Sequence, residues 1–201
     1  MVDKQKDLLR FRIELVGILP PIWREVSVPA RYTFWDLHVA IQDAMGWFDS
    51  HLHEFRLGGR GRNAGIVIGM PDEFEMEGYP ERLIEWDVPV LDHISQPGDR
   101  IEYEYDFGDG WIHELTLLSI ERRERGQRYP KCIAGERAAP PEDCGGISGY
   151  RMLVDALLDP KHDEFGSMWE WIPSGWGPEV FEAVKVCFDN PTRRWKLAFL
   201  L

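Results

Sequence analysis

Long hydrophobic runs, surplus positive charge and a cysteine framework are all missing from this 201-residue chain, and each absence removes a class of function. No apolar stretch approaches the ~20 residues that a membrane-spanning helix requires. Residues 1–7 are polar and include acids, so a cytoplasmic location and no membrane partner are expected. Lysine and arginine total 23 against 35 aspartates and glutamates, a formal net charge of −12. A surface of that sign repels phosphate backbones, whereas nucleic-acid binding draws much of its affinity from counterion release at basic surfaces, so the charge argues against nucleic acid. The three cysteines, Cys132, Cys144 and Cys187, are an odd number and are expected to be reduced. Also missing are a Cys-x-x-Cys pair, a His-Glu-x-x-His helix, a Gly-x-Ser-x-Gly elbow, internal repeats and low-complexity segments. The glycines of residues 58–63 lack the strand-to-helix context and the Lys-Ser/Thr ending of a phosphate cradle.

What is present is core-forming material: 44% apolar residues, nine tryptophans and ten phenylalanines, with 29% charged residues for the surface. That balance describes a folded globular chain. One domain over residues 1–201 is expected, sheet-rich over 9–120 and helical over 147–190. Leu9, Phe11, Ile13 and Leu15 alternate with polar residues, the period of a strand with one buried face. After Pro20 and Pro21, residues 22–28 read as its hairpin partner. Thr33 caps a helix with Asp36 in its first turn, a stripe of Phe34, Leu37, Ile41 and Met45, and Gly46 as its stop. Residues 49–57 read as a strand placing His51, His53, Phe55 and Leu57 on one face, and a short strand follows at 66–68.

Ile101, Tyr103, Tyr105 and Phe107 alternate with Glu102, Glu104 and Asp106, and a second strand runs over 111–120. Downstream, a helix carrying Tyr150, Leu153, Val154 and Leu157 stops at Pro160. A further helix with Pro178 in its first turn turns Val180, Phe181, Val184, Cys187 and Phe188 inward. Strands first and helices later argue for an α+β fold with a mainly antiparallel sheet, a grasp-like strand-strand-helix-strand start and a helical C-terminal part.

Three polar segments carry the candidate chemistry: 49–53 (Asp-Ser-His-Leu-His), 103–113 with its Gly-Asp-Gly turn, and 140–146 (Pro-Pro-Glu-Asp-Cys-Gly-Gly). Imidazoles two apart on a strand share a face, a geometry that metal sites use. His51, His53, Asp106, His113, Cys132 and Cys144 are therefore candidate ligands for zinc. The bland alternative has the histidines hydrogen-bonded within the fold and the two thiols packed as small apolar groups, with eleven residues between them in sequence. Asp109, Trp111, Glu142 and Asp143 are candidate binding residues, with Asp109 equally explained as a turn former and 140–146 as a packed loop. A Cys144 nucleophile requires a neighbouring imidazole. Trp169, Trp171 and Trp176 can stack a ligand or form core.

The hairpin register decides what faces His113. A two-residue turn at Asp109 and Gly110 sets Asp106 opposite it, and a three-residue turn from Gly108 to Gly110 sets Tyr105 there. The second keeps the apolar face of Ile101, Tyr103 and Phe107 against Leu117, Leu115 and Trp111, and is the one expected.

Residues 20–24 (Pro-Pro-Ile-Trp-Arg), 47–55 (Trp-Phe-Asp-Ser-His-Leu-His-Glu-Phe), 103–111 with His113, and 140–146 together closely resemble the plasmid pRi-type ORF-three-like family, over about residues 9–178. The resemblance implies an α+β bacterial or archaeal cytoplasmic protein, often carried on plasmids or mobile elements, with no established activity. Some members carry an insertion-element passenger label of TnpR type, which implies a resolvase. The residues give that label no support: neither an activated serine among arginines nor a basic DNA-reading module can be placed. Three readings therefore stand. One is a binding or accessory module for a protein or small-molecule ligand, with a groove between the three segments. Another is a metal-dependent hydrolase using His51, His53, Asp106 and His113 with Glu142 or Asp143 as base. The third is a nucleic-acid-associated mobile-element protein using Arg122, Arg123, Arg125 and Arg128.

Overall fold

The computed structural model describes residues 2–58, 65–71, 81–159, 161, 163, 166, 167, 170 and 172–200. Its centre is one eight-stranded sheet built from β1 (Asp7–Leu15), β2 (Trp23–Pro29), β3 (His53–Leu57), β4 (Ile66–Gly69), β5 (Glu81–Ile84), β6 (Arg100–Tyr105), β7 (Trp111–Arg122) and β8 (Lys131–Glu136). The spatial order is β5-β4-β3-β6-β7-β1-β2-β8, antiparallel throughout except for the β4–β5 pair. Helices α1 (Phe34–Met45), α2 (Gly146–Leu158) and α3 (Pro191–Phe199) accompany it. The fold is α+β with a mainly antiparallel sheet. Its strand-strand-helix-strand opening is present, and the strand after the helix joins the sheet beside β6, with β7 between β6 and β1. No helix among the described residues is long and apolar enough to cross a membrane.

Period-two alternation gives the sheet two unlike faces. Phe11, Ile13, Val26, Phe55, Tyr103, Leu115 and Leu117 are buried in one core together with Phe34, Leu37 and Ile41 of α1. Phe34 meets Phe55 edge-on with ring centroids 5.0 Å apart. The alternate positions carry a ladder of ion pairs in which Arg10 bonds Glu25 at 2.6 Å and Arg56 bonds Glu54 at 2.7 Å. These two cations are thus matched within the sheet. α1 has a full capping box between Thr33 and Asp36 and ends on Gly46 at φ 80°.

Three expectations are corrected here. β6 and β7 pair with Tyr103 opposite His113 and Tyr105 opposite Trp111, so neither anticipated turn forms. Asp106 leaves the strand at φ 56° and its carboxylate accepts from the Gly108 and Asp109 amides, which turns residues 106–110 into the loop. An even shift of register keeps Ile101, Tyr103 and Tyr105 on the buried face and leaves Phe107 exposed in the loop, and periodicity alone could not distinguish the two. The strand expected from residue 49 begins at His53. Asp49 sits at φ 60°, so His51 belongs to an irregular segment and does not share a strand face with His53.

The helix expected after Pro178 is an extended segment with one short 3-10 turn at Ala183–Lys185, and Val180, Val184 and Cys187 are exposed. Phe181 is drawn onto β8 at Gly135, where a Cβ would lie 2.4 Å from the Phe181 ring, and this docking overrides helix propensity. The last helix is instead α3, capped by Asn190 with Pro191 in its first turn. Trp35 donates to the Pro191 carbonyl at 3.0 Å and Arg194 bonds Asp43 at 2.7 Å, fixing α3 to α1. Trp169, Trp171 and most of residues 58–63 lie outside the described residues.

Candidate metal and acid-base site

The three polar segments meet at one end of the sheet. The Asp106 amide donates to the Leu52 carbonyl at 2.9 Å, tying the β6–β7 loop to the segment before β3. The Tyr105 hydroxyl accepts from the Ser50 amide at 3.0 Å and donates to Glu142 at 2.9 Å. Burial raises this phenol above its usual range, so it keeps its proton beside the carboxylate. Glu142 also accepts from the Phe48 amide at 2.6 Å, and Trp47 donates to the Pro140 carbonyl at 2.8 Å. The Gly145 amide donates to Asp109 at 3.2 Å. Gly146 is required at this junction: at φ 66°, its Cβ would stand 2.5 Å from the Asp109 carbonyl oxygen.

Two histidine–carboxylate groups result. The first, at the surface, is His51, Asp106 and Asp143, whose ligand atoms lie within 4.8 Å of one another. His51 Nε2 is 3.0 Å from Asp143 Oδ1 and 3.6 Å from Asp106 Oδ2. The atom is nevertheless buried without a hydrogen bond: Asp106 is too far, and the Asp143 approach lacks the alignment a hydrogen bond needs. Asp106 is held for this position, since its Oδ1 takes the two loop amides and leaves Oδ2 toward His51. Asp106 and Asp143 both hold left-handed backbone conformations, at φ 56° and 58°, and at Asp106 the two loop-amide hydrogen bonds offset the strain.

The second group lies beneath, inside the core. Gln42 donates to the Tyr103 hydroxyl at 2.9 Å, Tyr103 lies 2.9 Å from His38 Nδ1, and His38 Nε2 lies 2.8 Å from Asp49. Burial, then the adjacent His53, lowers the pKa of His38 to about 4, so it is neutral at pH 7. A neutral ring here has one consistent tautomer: Nε2 donates to Asp49 and Nδ1 accepts from Tyr103. Burial pushes the Asp49 carboxyl upward, but the His38 hydrogen bond, helped by the cation of Arg194, leaves the carboxyl below its usual range. His53 stacks on His38 with ring centroids 3.4 Å apart and planes 4° from parallel, and its Nε2 lies 2.7 Å from the wholly buried Glu85.

His38, Asp49 and His53 have metal-like separations, but the stack opposes chelation. In-plane lone pairs on parallel rings 3.4 Å apart do not converge, and a point midway between the planes is about 1.7 Å out of each, too far for metal–nitrogen bonds of about 2.0–2.1 Å to follow the lone pairs.

Both groups reach a cavity of about 410 Å³ lined by Asp49, His51 and His53 with Trp35, Met70 and Phe199. The other residues singled out in the sequence lie elsewhere. His113 is fully buried, with Nδ1 3.1 Å from the Trp111 carbonyl, and burial takes its pKa down to about 4. Cys132 is on β8, bonded to the Ala134 carbonyl, and burial pushes its thiol up to about 11. Burial and the neighbouring Asp109 and Asp143 push Cys144 to about 12, the opposite of what a nucleophilic thiol needs. Trp111 is core, and Trp176 donates to the Ala139 carbonyl at 2.9 Å. Arg122 bonds Asp7 at 2.8 Å. His38, Gln42 and Glu85 escaped the sequence reading. The first two had a signal, a polar i,i+4 pair beside the apolar stripe of α1, because buried polar groups need partners.

Sheet and site together define an α+β protein with a histidine–carboxylate pocket where three loop segments meet. The chain belongs to the plasmid pRiA4b ORF-3-like family, whose model matches residues 7–185. Among its relatives, the uncharacterized protein y4hQ of Sinorhizobium fredii is 35% identical over 170 residues, 83% of this chain and 81% of that protein. The crystal structure of MM3350, a protein of unknown function from Methanosarcina mazei Go1, matches with a TM-score of 0.79 at 36% identity, covering 91% of this chain and 99% of that one.

Proposed function

We propose that the protein binds a divalent cation of the zinc type through His51, Asp106 and Asp143 and uses it to hydrolyse a small molecule admitted to the adjoining cavity. The observation that carries this reading is the buried His51 Nε2, flanked at 3.0 and 3.6 Å by two carboxylates yet hydrogen-bonded to neither. One nitrogen and two carboxylate oxygens suit zinc or manganese, and three protein ligands leave room for water and substrate. A cation held there lowers the pKa of its bound water. His53, oriented by Glu85, is the proton acceptor at the cavity wall, and the neutral His38 stacked against it is held in place by Asp49 and Tyr103.

The test is hydrolysis of p-nitrophenyl acetate and p-nitrophenyl phosphate by protein stripped with chelator and then reloaded with zinc or manganese. Turnover that returns with the cation and falls about 100-fold or more in His53→Gln and Asp106→Asn supports the reading. Turnover indifferent to the cation and to both variants overturns it. A second reading, a cation-dependent binding module without turnover, is favoured by the closed hydrogen bonding of His38. It is the outcome if the cation binds and neither ester is cleaved.

A further inference from the structure

A second cavity, of about 560 Å³, is lined by Arg24, Trp47, Pro140, Trp176 and Phe181, with Phe48 at its rim. Arg24 stands on β2 where alternation places a core residue, between Ile22 and Val26, and is only 1% exposed. Its Nε donates to the Ala44 carbonyl at 2.9 Å, and Nη1 donates to the carbonyls of Trp23 and Glu136 at 2.8 and 3.0 Å. The guanidinium lies 3.7 Å from the centre of the Phe181 ring.

These contacts orient the cation without neutralising it. Among the described residues no carboxylate forms an ion pair with Arg24, and the acids on the cavity wall are engaged elsewhere. Asp43 bonds Arg194, Glu142 bonds the Phe48 amide and the Tyr105 hydroxyl, and Glu182 bonds Lys185. The titratable groups Cys132 and His113 near Arg24 offer it no negative charge: burial raises the thiol to about 11 and lowers the imidazole to about 4. Burial lowers Arg24 itself only to about 10, so it is a cation at neutral pH. A buried charge with no counter-ion is costly, and a cavity beside it offers a place for one.

We propose that this cavity binds a small carboxylate with a flat apolar body. The carboxylate accepts from Arg24 Nη2, the guanidinium nitrogen that the three carbonyls leave free, in a charge-assisted hydrogen bond, and the body packs between Trp47, Trp176 and Phe181. Phe181 covers one face of the guanidinium, so the carboxylate approaches Nη2 in the plane.

The probe is benzoate, titrated against tryptophan fluorescence and by calorimetry, with benzamide as the neutral control of the same shape. Saturable benzoate binding about tenfold or more tighter than benzamide is expected, and Arg24→Met abolishes the preference. Methionine fills similar volume and removes the buried charge, so this variant is expected to fold. Should it not fold, Trp176→Leu keeps the preference while weakening both ligands. Equal binding of the two probes, binding of neither, or a preference that survives in folded Arg24→Met overturns the proposal.

Discussion

The two histidine–carboxylate groups use the same residue types within a few residues of each other, yet both ring nitrogens of His38 are hydrogen-bonded while Nε2 of His51 is not. His38 has a partner on both ring nitrogens and His53 has a carboxylate at 2.7 Å, all inside the core. His51 Nε2 has two carboxylates near it and no hydrogen bond. Identity of side chains therefore does not say what a cluster does. Geometry does: the groups around His38 are placed to share protons, whereas His51 Nε2 meets its two carboxylates without a hydrogen bond, the gap that the proposed cation would fill.

The largest effect that separates the groups is on stability. His38→Ala removes a buried ring, its stack on His53 and the partner of Tyr103 and Asp49, and is expected to cost about 3 kcal/mol in urea denaturation while cation affinity changes little. His51→Ala is expected to change stability by less than about 0.5 kcal/mol. Equal costs for the two would erase the distinction.

Acid should attack the core before the surface. His38 and His113 are held neutral, with pKa values near 4 in the folded protein, against about 6.5 when unfolded. The unfolded chain thus binds protons first. Their stabilisation is complete above about pH 6.5 and is lost as pH falls toward 4, by on the order of 1–3 kcal/mol for each ring. Denaturation midpoints that stay constant between pH 6.5 and 4.5 would contradict this assignment. Asp49, held low, adds its loss only below about pH 4.

A smaller effect is expected from Asp106→Asn. Asparagine tolerates the left-handed backbone and keeps the oxygen that accepts from the Gly108 and Asp109 amides, so the melting temperature should move by no more than a few degrees. Cation affinity should nevertheless fall about tenfold or more. The smallest effect concerns the thiols: exposed Cys187 should react first with a disulfide reagent, and Cys187→Ser should remove that fast phase, leaving Cys132 and Cys144 slow.

Much of this architecture was legible because alternation and capping are local. β1, β2, α1, β6 and β7 follow from period, Pro20 and Pro21, the Thr33–Asp36 box and Gly46. Hairpin register was not, because an even shift preserves the buried face and the choice was made by Asp106 bonding its own loop amides. The segment after Pro178 has a helical pattern, but Phe181 finds a place over Gly135 and Arg24 that only the assembled sheet provides. Asn190 and Pro191 did announce α3, and the pattern upstream drew attention from them. In the site, His51, Asp106 and Asp143 were among the residues singled out. Grouping them with His53, His113 and the cysteines assumed one strand face, and Asp49's left-handed turn divides them. Glu85 gave no signal within an acidic stretch.

The most direct measurement is calorimetric titration of chelator-stripped protein with zinc, at fixed pH and salt. The account predicts one cation per chain, with binding lost in His51→Ala and retained in Cys132→Ser. No binding to the wild-type chain, or binding that His51→Ala leaves unchanged, would contradict it.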